Sequence, residues 1–454
     1  MRSGGWWLLT VLLGGCVTPA PPAPSSPPPA PEESPPAPSV HADAAPVIEL
    51  GARERETRLY SAQIADLTGV GRPYLVVGGF TTSGAGQASR VPVLSPTAGD
   101  RWETAWEARW AGGGATIVRN VAIADFDGDG RDEIAALGRV GEDTGTCRGE
   151  LRLFGVRDGE LTELAQASFR EGSYTHGYGL AVADLDGDGR PEIVGGGFSR
   201  EGETERGDLR VWRRDAGLDL VVSHHFAEQG EESTRVNAVA VADVDGDGRP
   251  EILTAGRHGP HDHEGPGHGK KRKRQETGSL RAFHLSGDRL DEVGHFRWKV
   301  GKTTRIRALA TLDRDGDGRE EIVIGGQCGR RGQPCLALVT FGADGFELVS
   351  EPALEGVAGE VKALLVVGKG SATRLVTTGS SGKKPNRQAQ VDVWRLDGGR
   401  LERERRWSSH NGDETRPRAV AVWPASDGPK LITVGHASSG ARVVGQLLDW
   451  GHGD

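Results

Sequence analysis

Asp125, Asp127 and Asp129 stand at alternate positions, with Gly128 and Gly130 between and after them and Arg131 and Glu133 following. A chain that turns through glycines can adopt positive φ, so alternate carboxylates converge on one point instead of splaying apart. The backbone carbonyl of Arg131 would join them, its side chain free to point away, and Glu133 would close the shell. Oxygen donors in this number suit a hard divalent cation, Ca2+ ahead of Mg2+. The spacing recurs in Asp184, Asp186, Asp188, Arg190 and Glu192, in Asp243, Asp245, Asp247, Arg249 and Glu251, and in Asp313, Asp315, Asp317, Arg319 and Glu321. About four calcium sites are therefore expected. The twelfth places are Ala136, Gly195, Thr254 and Ile324, which excludes the helix–loop–helix calcium loop, where a glutamate is required there. These loops offer no nucleophile, so the expected role of the metal is structural. At ~1 mM free Ca2+ and a Kd on the order of 10 µM, each filled site would contribute about 2.7 kcal/mol. That is large beside a domain stability of about 5–15 kcal/mol.

The elements that must position these loops repeat with them. Anchored on the first loop position, seven copies start at 66, 125, 184, 243, 313, 368 and 424, the first and the last two lacking the full set of carboxylates. A threonine stands nine residues before the anchor in six of the seven: Thr57, Thr116, Thr175, Thr234, Thr304 and Thr415. Each unit reads as a strand, the tight loop, an apolar strand and two further short strands, the pattern of a propeller blade. The last unit supplies only three strands, while Pro46-Val47-Ile48-Glu49-Leu50 precedes the first unit without a blade of its own. That run is expected to complete blade seven and close the ring, leaving no terminal blade with an unpacked apolar face. The fold expected is all-β, a seven-bladed β-propeller over residues 46–454 with calcium-binding hairpin loops.

The Asp-x-Asp-Gly-Asp-Gly-Arg-x-Glu loops, with this repeat length, resemble the FG-GAP/VCBS repeats of integrin α-subunit propellers and many bacterial surface proteins. The resemblance covers roughly residues 46–454. It implies that Ca2+ binds in the hairpin between the first two strands, on the lower face of the ring. This chain carries glutamate at the ninth place where the integrin pattern has aspartate.

Before the repeats, Met1-Arg2 and the apolar run Trp6 to Leu13 are too short to span a bilayer. They end in Leu13-Gly14-Gly15-Cys16, which resembles a bacterial lipobox. The resemblance implies a signal peptide over 1–15, lipid on Cys16 and, since Val17 follows, an outer-membrane lipoprotein at the cell envelope. Acyl chains on one residue anchor a protein without a transmembrane helix. Residues 16–45, Pro- and Ala-rich from Val17 onward, read as a semi-rigid polyproline spacer outside any core.

Function is expected at the opposite face, where loops enter the first strands. Six to eight residues before the anchors lie Arg58, Arg119, Arg235, Arg305, Arg307, Lys362, Arg416 and Arg418, with Tyr60, His176, Tyr178 and Asn237 completing the set. Sevenfold geometry would bring these to the mouth of a central funnel that attracts an acidic polysaccharide or acidic protein surface. Solvated strand ends paired with nearby acids are the competing reading. The favoured function is a lipid-anchored binding or scaffold module. The alternative is a carbohydrate-active enzyme such as a polysaccharide lyase, for which His176 and Tyr178 beside Arg235 or Arg119 are the candidate constellation. A net charge of −9 on an exported chain argues against nucleic acid. Cys328 and Cys335 are expected to form a local disulfide, and Cys147 to be a loop thiol. An insertion in the fourth unit carries His258, His261, His263 and His268 ahead of a basic run at 270–274. It reads as a solvated loop, with transition-metal binding as the competing reading.

Overall fold

The computed structural model describes residues 46–452 apart from short stretches at 52–53, 85, 98–100, 143–145, 203, 228–232, 260–274, 330–331, 353, 355–358, 369, 384, 398–399, 427 and 441. The expected signal segment 1–15, Cys16, the linker, and His261, His263 and His268 lie outside the described residues.

The described chain is all-β apart from one 3-10 turn at Gly370–Ala372. A short strand, β1 (Pro46–Leu50), comes first. The first repeat holds β2 (Glu56–Ala65), β3 (Tyr74–Ser83), β4 (Gly86–Pro96) and β5 (Trp102–Ala111). The second holds β6 (Ile117–Ala124), β7 (Glu133–Gly141), β8 (Cys147–Arg157) and β9 (Glu160–Phe169). The third holds β10 (Tyr174–Ala183), β11 (Glu192–Glu201), β12 (Thr204–Arg214) and β13 (Leu218–Phe226). The fourth holds β14 (Ser233–Ala242), β15 (Glu251–Gly259), β16 (Thr277–Ser286) and β17 (Arg289–Trp298). The fifth holds β18 (Thr304–Leu312), β19 (Glu321–Cys328), β20 (Gln333–Gly342) and β21 (Gly345–Ser350). The sixth holds β22 (Gly359–Val367), β23 (Arg374–Ser381), β24 (Gln388–Asp397) and β25 (Arg400–Ser409). The last holds β26 (Glu414–Ala425), β27 (Gly428–Ser439) and β28 (Arg442–His452).

Each repeat is an antiparallel meander. β1 pairs with β28, Ile48 opposite Leu447 and Leu50 opposite Gly445, so the segment ahead of the first repeat supplies the fourth strand of the last. Neighbouring repeats meet edge to edge only by single parallel bridges among the described residues: Glu56 to Val443, Tyr174 to Cys147, Glu276 to Thr303 and Arg387 to Glu414. Elsewhere they meet face to face. The second strands, such as β3 and β11, are buried along nearly their whole length, as strands covered on both faces must be. The outer strands β9 and β17 alternate between exposed and half-buried positions.

The apolar clusters show why consecutive repeats stack. Val76 and Val91 of the first repeat pack with Val118, Ile134 and Phe154 of the second. Leu253, Leu280 and Trp298 of the fourth pack with Ile306, Ile322 and Phe341 of the fifth. Leu59, Leu75 and Leu94 of the first pack with Trp423, Ile432 and Leu447 of the last. Every repeat thus covers the apolar face of the next, the last covering the first. Each fully buried aliphatic side chain of this kind contributes about 1.5–3 kcal/mol.

The repeated threonine has a local job. Thr175 Oγ1 accepts from Glu171 N at 2.8 Å and donates to Glu171 O at 3.0 Å, and Thr304 and Thr415 make the same pair of bonds to Val300 and Asn411. The hydroxyl thereby fastens the loop that leads into the first strand. Cys328 and Cys335 are joined across the β19–β20 hairpin, Cα to Cα 5.8 Å. Cys147, expected in a loop, instead opens β8 and is buried, its thiol donating to Thr175 O at 3.4 Å.

Candidate functional site

All seven first strands slip register at one residue: Tyr60 in β2, Arg119 in β6, Tyr178 in β10, Asn237 in β14, Arg307 in β18, Lys362 in β22 and Arg418 in β26. A β-bulge leaves its extra residue out of the ladder and re-aims the side chain. Here the seven side chains line one cavity of about 480 Å3. A glycine in each second strand permits the kink. A Cβ at Gly79, Gly138, Gly197, Gly256, Gly326, Gly379 or Gly435 would lie 1.8–2.2 Å from a first-strand carbonyl oxygen, that of the residue two before the bulge. Only glycine allows that approach.

The ring of bulge residues is unevenly charged. Arg119, Arg307, Lys362 and Arg418 face the cavity, and Glu360 is the carboxylate beside them, 2.6 Å from Lys362 Nζ and 3.8 Å from Arg307 Nε. Nε of Arg307 and Nε of Arg418 are buried and find no hydrogen-bond partner among the described residues. Burial, with repulsion from Arg418 and Arg307 outweighing the pull of Glu360, pushes the Lys362 ammonium down to about 7. Burial works to raise the Glu360 carboxyl, but Lys362, Arg307 and Arg418 together hold it below its ordinary value. Arg119 lies between two rings, 4.3 Å from the centre of Tyr60 and 5.1 Å from that of Tyr178. Asn237 is anchored by donating to Ile306 O at 2.7 Å.

The basic residues expected at one mouth therefore divide into two sets. Those at the bulge face the cavity. Those two positions earlier are spent on carboxylates: Arg58 on Glu56 at 2.5 Å, Arg235 on Glu205, Arg305 on Glu276 and Arg416 on Glu414. Glu205, Glu276 and Glu414 are buried, so these pairs belong to the packing between and within repeats. Side chains two apart on one strand share a face, but the bulge intervenes and separates them. His176, at the same earlier position, is buried, and its Nε2 accepts from Arg119 Nε at 3.3 Å. Burial first, and then Arg119, Arg139 and Arg235, hold its imidazole well below the ordinary histidine range. Its ring centre lies 4.2 Å from that of Tyr178 with the planes tilted by 40°, but the lone pair a general base would use is engaged, and Arg235 is turned away to Glu205. Sequence reading missed Glu360; its signal is a carboxylate standing where four other repeats carry arginine.

The acidic loops are built by their first aspartate and two glycines. Asp125 Oδ1 accepts from Gly128 N at 2.7 Å and Oδ2 from Gly130 N at 2.8 Å, with both glycines at positive φ. Asp184, Asp243 and Asp313 repeat these bonds. The seventh-place residues Arg131, Arg190, Arg249 and Arg319 donate their backbone N–H to the fifth-place aspartate at 2.8–2.9 Å. The first repeat provides an internal control. Asp66 makes the same bonds to Gly69 and Gly71, although Thr68 and Val70 replace the second and third aspartates. The turn thus forms without those two carboxylates, so Asp127 and Asp129 and their counterparts are not there to shape the backbone.

The ninth-place glutamates have partners within the protein besides any metal. Glu133, Glu192, Glu251 and Glu321 are buried beneath the loops, each accepting from the backbone N–H of the second loop residue at 2.8–3.0 Å. Their other oxygens meet Arg157 at 2.9 Å, Arg213 at 3.0 Å, His284, and Arg314 at 3.4 Å. Burial raises all four carboxyls above their ordinary value. They act first as braces. Ligand atoms within 4.8 Å of one another nonetheless come from Asp125, Asp127 and Glu133, from Asp184, Asp186 and Glu192, from Asp243, Asp245 and Asp247, and from Asp313, Asp315 and Asp317. These all-oxygen groups could hold a metal ion. The third-strand partners Arg157, Arg213 and His284 carried no sequence signal because they lie outside the loop motif.

No protein-family profile matches the sequence, and comparison with curated proteins finds no match. Among solved structures, Chaetomium thermophilum Sqt1 bound to the N-terminus of the ribosomal protein L10 is similar over 89% of this chain and 99% of that one, at 12% identity and a TM-score of 0.51. The exotype rhamnogalacturonan lyase YesX is similar over 88% of this chain and 75% of its own, at 16% identity and a TM-score of 0.44. Rhamnogalacturonan lyase YesW follows with 86% and 72%, 15% identity and 0.39. The first likeness identifies a β-rich, propeller-like fold.

Proposed function

We propose that this chain is a lipid-anchored, calcium-stabilised, seven-bladed propeller of the FG-GAP/VCBS repeat type, and that it serves at the cell envelope as a binding module for an acidic polysaccharide or an acidic protein surface. The observation that carries the binding role is the bulge ring. Four cations face one cavity beside a single carboxylate, and two of their buried donors have no partner among the described residues. Buried charge without a counter-charge is costly, so such an arrangement is kept for a ligand that supplies one. The acidic loops support the calcium assignment, since the first repeat builds the same turn without the extra aspartates. Cys16 after its apolar run supports the anchor, and the Pro-rich spacer would hold the ring off the membrane.

The test is retention of the full chain on immobilised polygalacturonate against neutral dextran. The reading expects retention on the acidic matrix that fades with rising salt and falls in Arg307→Ala and Arg418→Ala. Equal behaviour on both matrices overturns it. Partition of the chain into detergent, abolished by Cys16→Ser, checks the anchor.

A further inference from the structure

Three of the four cavity cations stand on consecutive first strands. Arg307 on β18, Lys362 on β22 and Arg418 on β26 form one arc, while Arg119 is held apart between Tyr60 and Tyr178. Within the arc Glu360 serves Lys362 directly at 2.6 Å and Arg307 only at 3.8 Å. Arg418 has no carboxylate within 4 Å among the described residues, and its guanidinium carbon lies 5.7 Å from the centre of the Tyr60 ring. The arc therefore carries two positive charges more than its own strands neutralise.

A single carboxylate would leave one of these charges uncompensated. A polyuronate would bring further charges only at the next sugar, and a cavity of about 480 Å3 has room for one or two sugar rings beside the arc. The group that matches the arc is doubly charged, compact and rich in acceptors. A phosphomonoester has these properties, with about two charges and three acceptor oxygens, and guanidinium donors suit it well. Beyond Arg119 and its two tyrosine rings, the rest of the wall is aliphatic, with Gln63, Asn120 and Asn237 offering side-chain amides to the same cavity. Amides of this kind match sugar hydroxyls.

We infer that the cavity takes a phosphorylated sugar, free or at the end of a glycan, with its phosphoryl group held by Arg307, Lys362 and Arg418. This rests on the anion-binding reading above and narrows it from polyanions in general to one terminal group. Binding has a bell-shaped dependence on pH. The phosphomonoester gains its second charge above about pH 6, and Lys362, faced by Glu360 from its own strand, Arg307 from β18 and Arg418 from β26, loses its proton above about 7.

Calorimetric titration of the full chain with glucose 6-phosphate, glucuronate, inorganic phosphate and a phosphoserine peptide tests the inference. Glucose 6-phosphate is expected to bind about tenfold or more tightly than glucuronate or inorganic phosphate. Arg418→Ala is expected to lose about tenfold of that affinity, and Lys362→Met to remove the decline on the alkaline side. The preference order is read on the unmodified chain, so a variant that fails to fold does not spoil the test. Glucuronate binding as tightly as glucose 6-phosphate overturns the inference, as does a phosphoserine peptide binding equally well. Salt-sensitive retention on polygalacturonate without any sugar-phosphate binding overturns the inference but leaves the broader reading standing. Absence of both overturns the two together.

Discussion

Lys362 Nζ lies 2.6 Å from Glu360 Oε1 inside a cavity that also holds Arg307 and Arg418. The carboxylate is too little to offset burial and two arginines, and the ammonium is pushed down to about 7. In the unfolded chain lysine titrates near 10.4, so between these values the unfolded state binds the extra proton. Stability therefore rises with pH across that window, by at most about 1.4 kcal/mol per unit for one group. Below pH 7 both states are protonated and this stabilisation is absent. Urea denaturation at pH 7, 8 and 9 should show the rise in the unmodified chain and its absence in Lys362→Met. A slope shared by both chains would assign the effect to other groups.

The bulge that turns each cavity residue inward depends on the glycine across from it. A Cβ at Gly197 would stand 1.9 Å from His176 O, and one at Gly256 1.8 Å from Arg235 O, both rigid backbone atoms. Gly197→Ala and Gly256→Ala should each cost about 1–3 kcal/mol or more. Gly217→Ala, where nothing lies within 4 Å, should change stability by less than about 0.5 kcal/mol. Denaturant midpoints for the three variants decide this, and equal effects would remove the proposed link between glycine and bulge.

Calcium should raise the melting temperature, and a chelator should lower it. At free calcium about a hundredfold above Kd a single site contributes about 2.7 kcal/mol. Asp186→Asn with Asp188→Asn should reduce the calcium-induced shift while leaving the turn intact, because Asp184 still holds Gly187 and Gly189. Asp66→Ala should destabilise equally with and without calcium, since the Asp66 carboxylate receives backbone N–H groups and the Thr68 hydroxyl. A melting curve indifferent to calcium in the unmodified chain would end the metal assignment.

Much of this arrangement was legible before any coordinates. The seven-fold recurrence of an acidic or degenerate loop, six times nine residues after a threonine, located every first and second strand, and the missing strand of the last repeat pointed to residues 46–50. The Asp and Gly positions are local chemistry, so the turn geometry followed from spacing alone. What spacing could not convey was the bulge. Without it, Arg305 and Arg307 read as neighbours on one face; with it, Arg307 enters the cavity and Arg305 goes to Glu276. The glutamate partners were hidden for a related reason. Glu205 and Glu276 reach Arg235 and Arg305 from other strands, and such pairings depend on how repeats stack. The ninth-place glutamates read as metal ligands from their spacing, and spacing could not show that burial under the hairpin also gives them backbone N–H partners.

Arg235 and Arg418 are both first-strand arginines, one two positions before its bulge and the other at its bulge, and should answer removal in opposite ways. Arg235 is bonded to Glu205, which is 1% exposed. Arg235→Met removes the guanidinium paired with that buried carboxylate, and loss of one partner of a buried pair costs about 3–5 kcal/mol. Arg418 has no such partner, and burial already lowers the ease of keeping it charged. Arg418→Met removes an uncompensated cation and relieves Lys362 of a repelling neighbour, so without ligand it should be neutral or stabilising by about 1 kcal/mol or more. Urea denaturation of both variants in anion-free buffer gives the comparison. If Arg418→Met unfolds as readily as Arg235→Met, the cavity cations are part of the scaffold. If it is as stable as the unmodified chain yet loses anion binding, the arc is held against its own repulsion for the sake of a ligand.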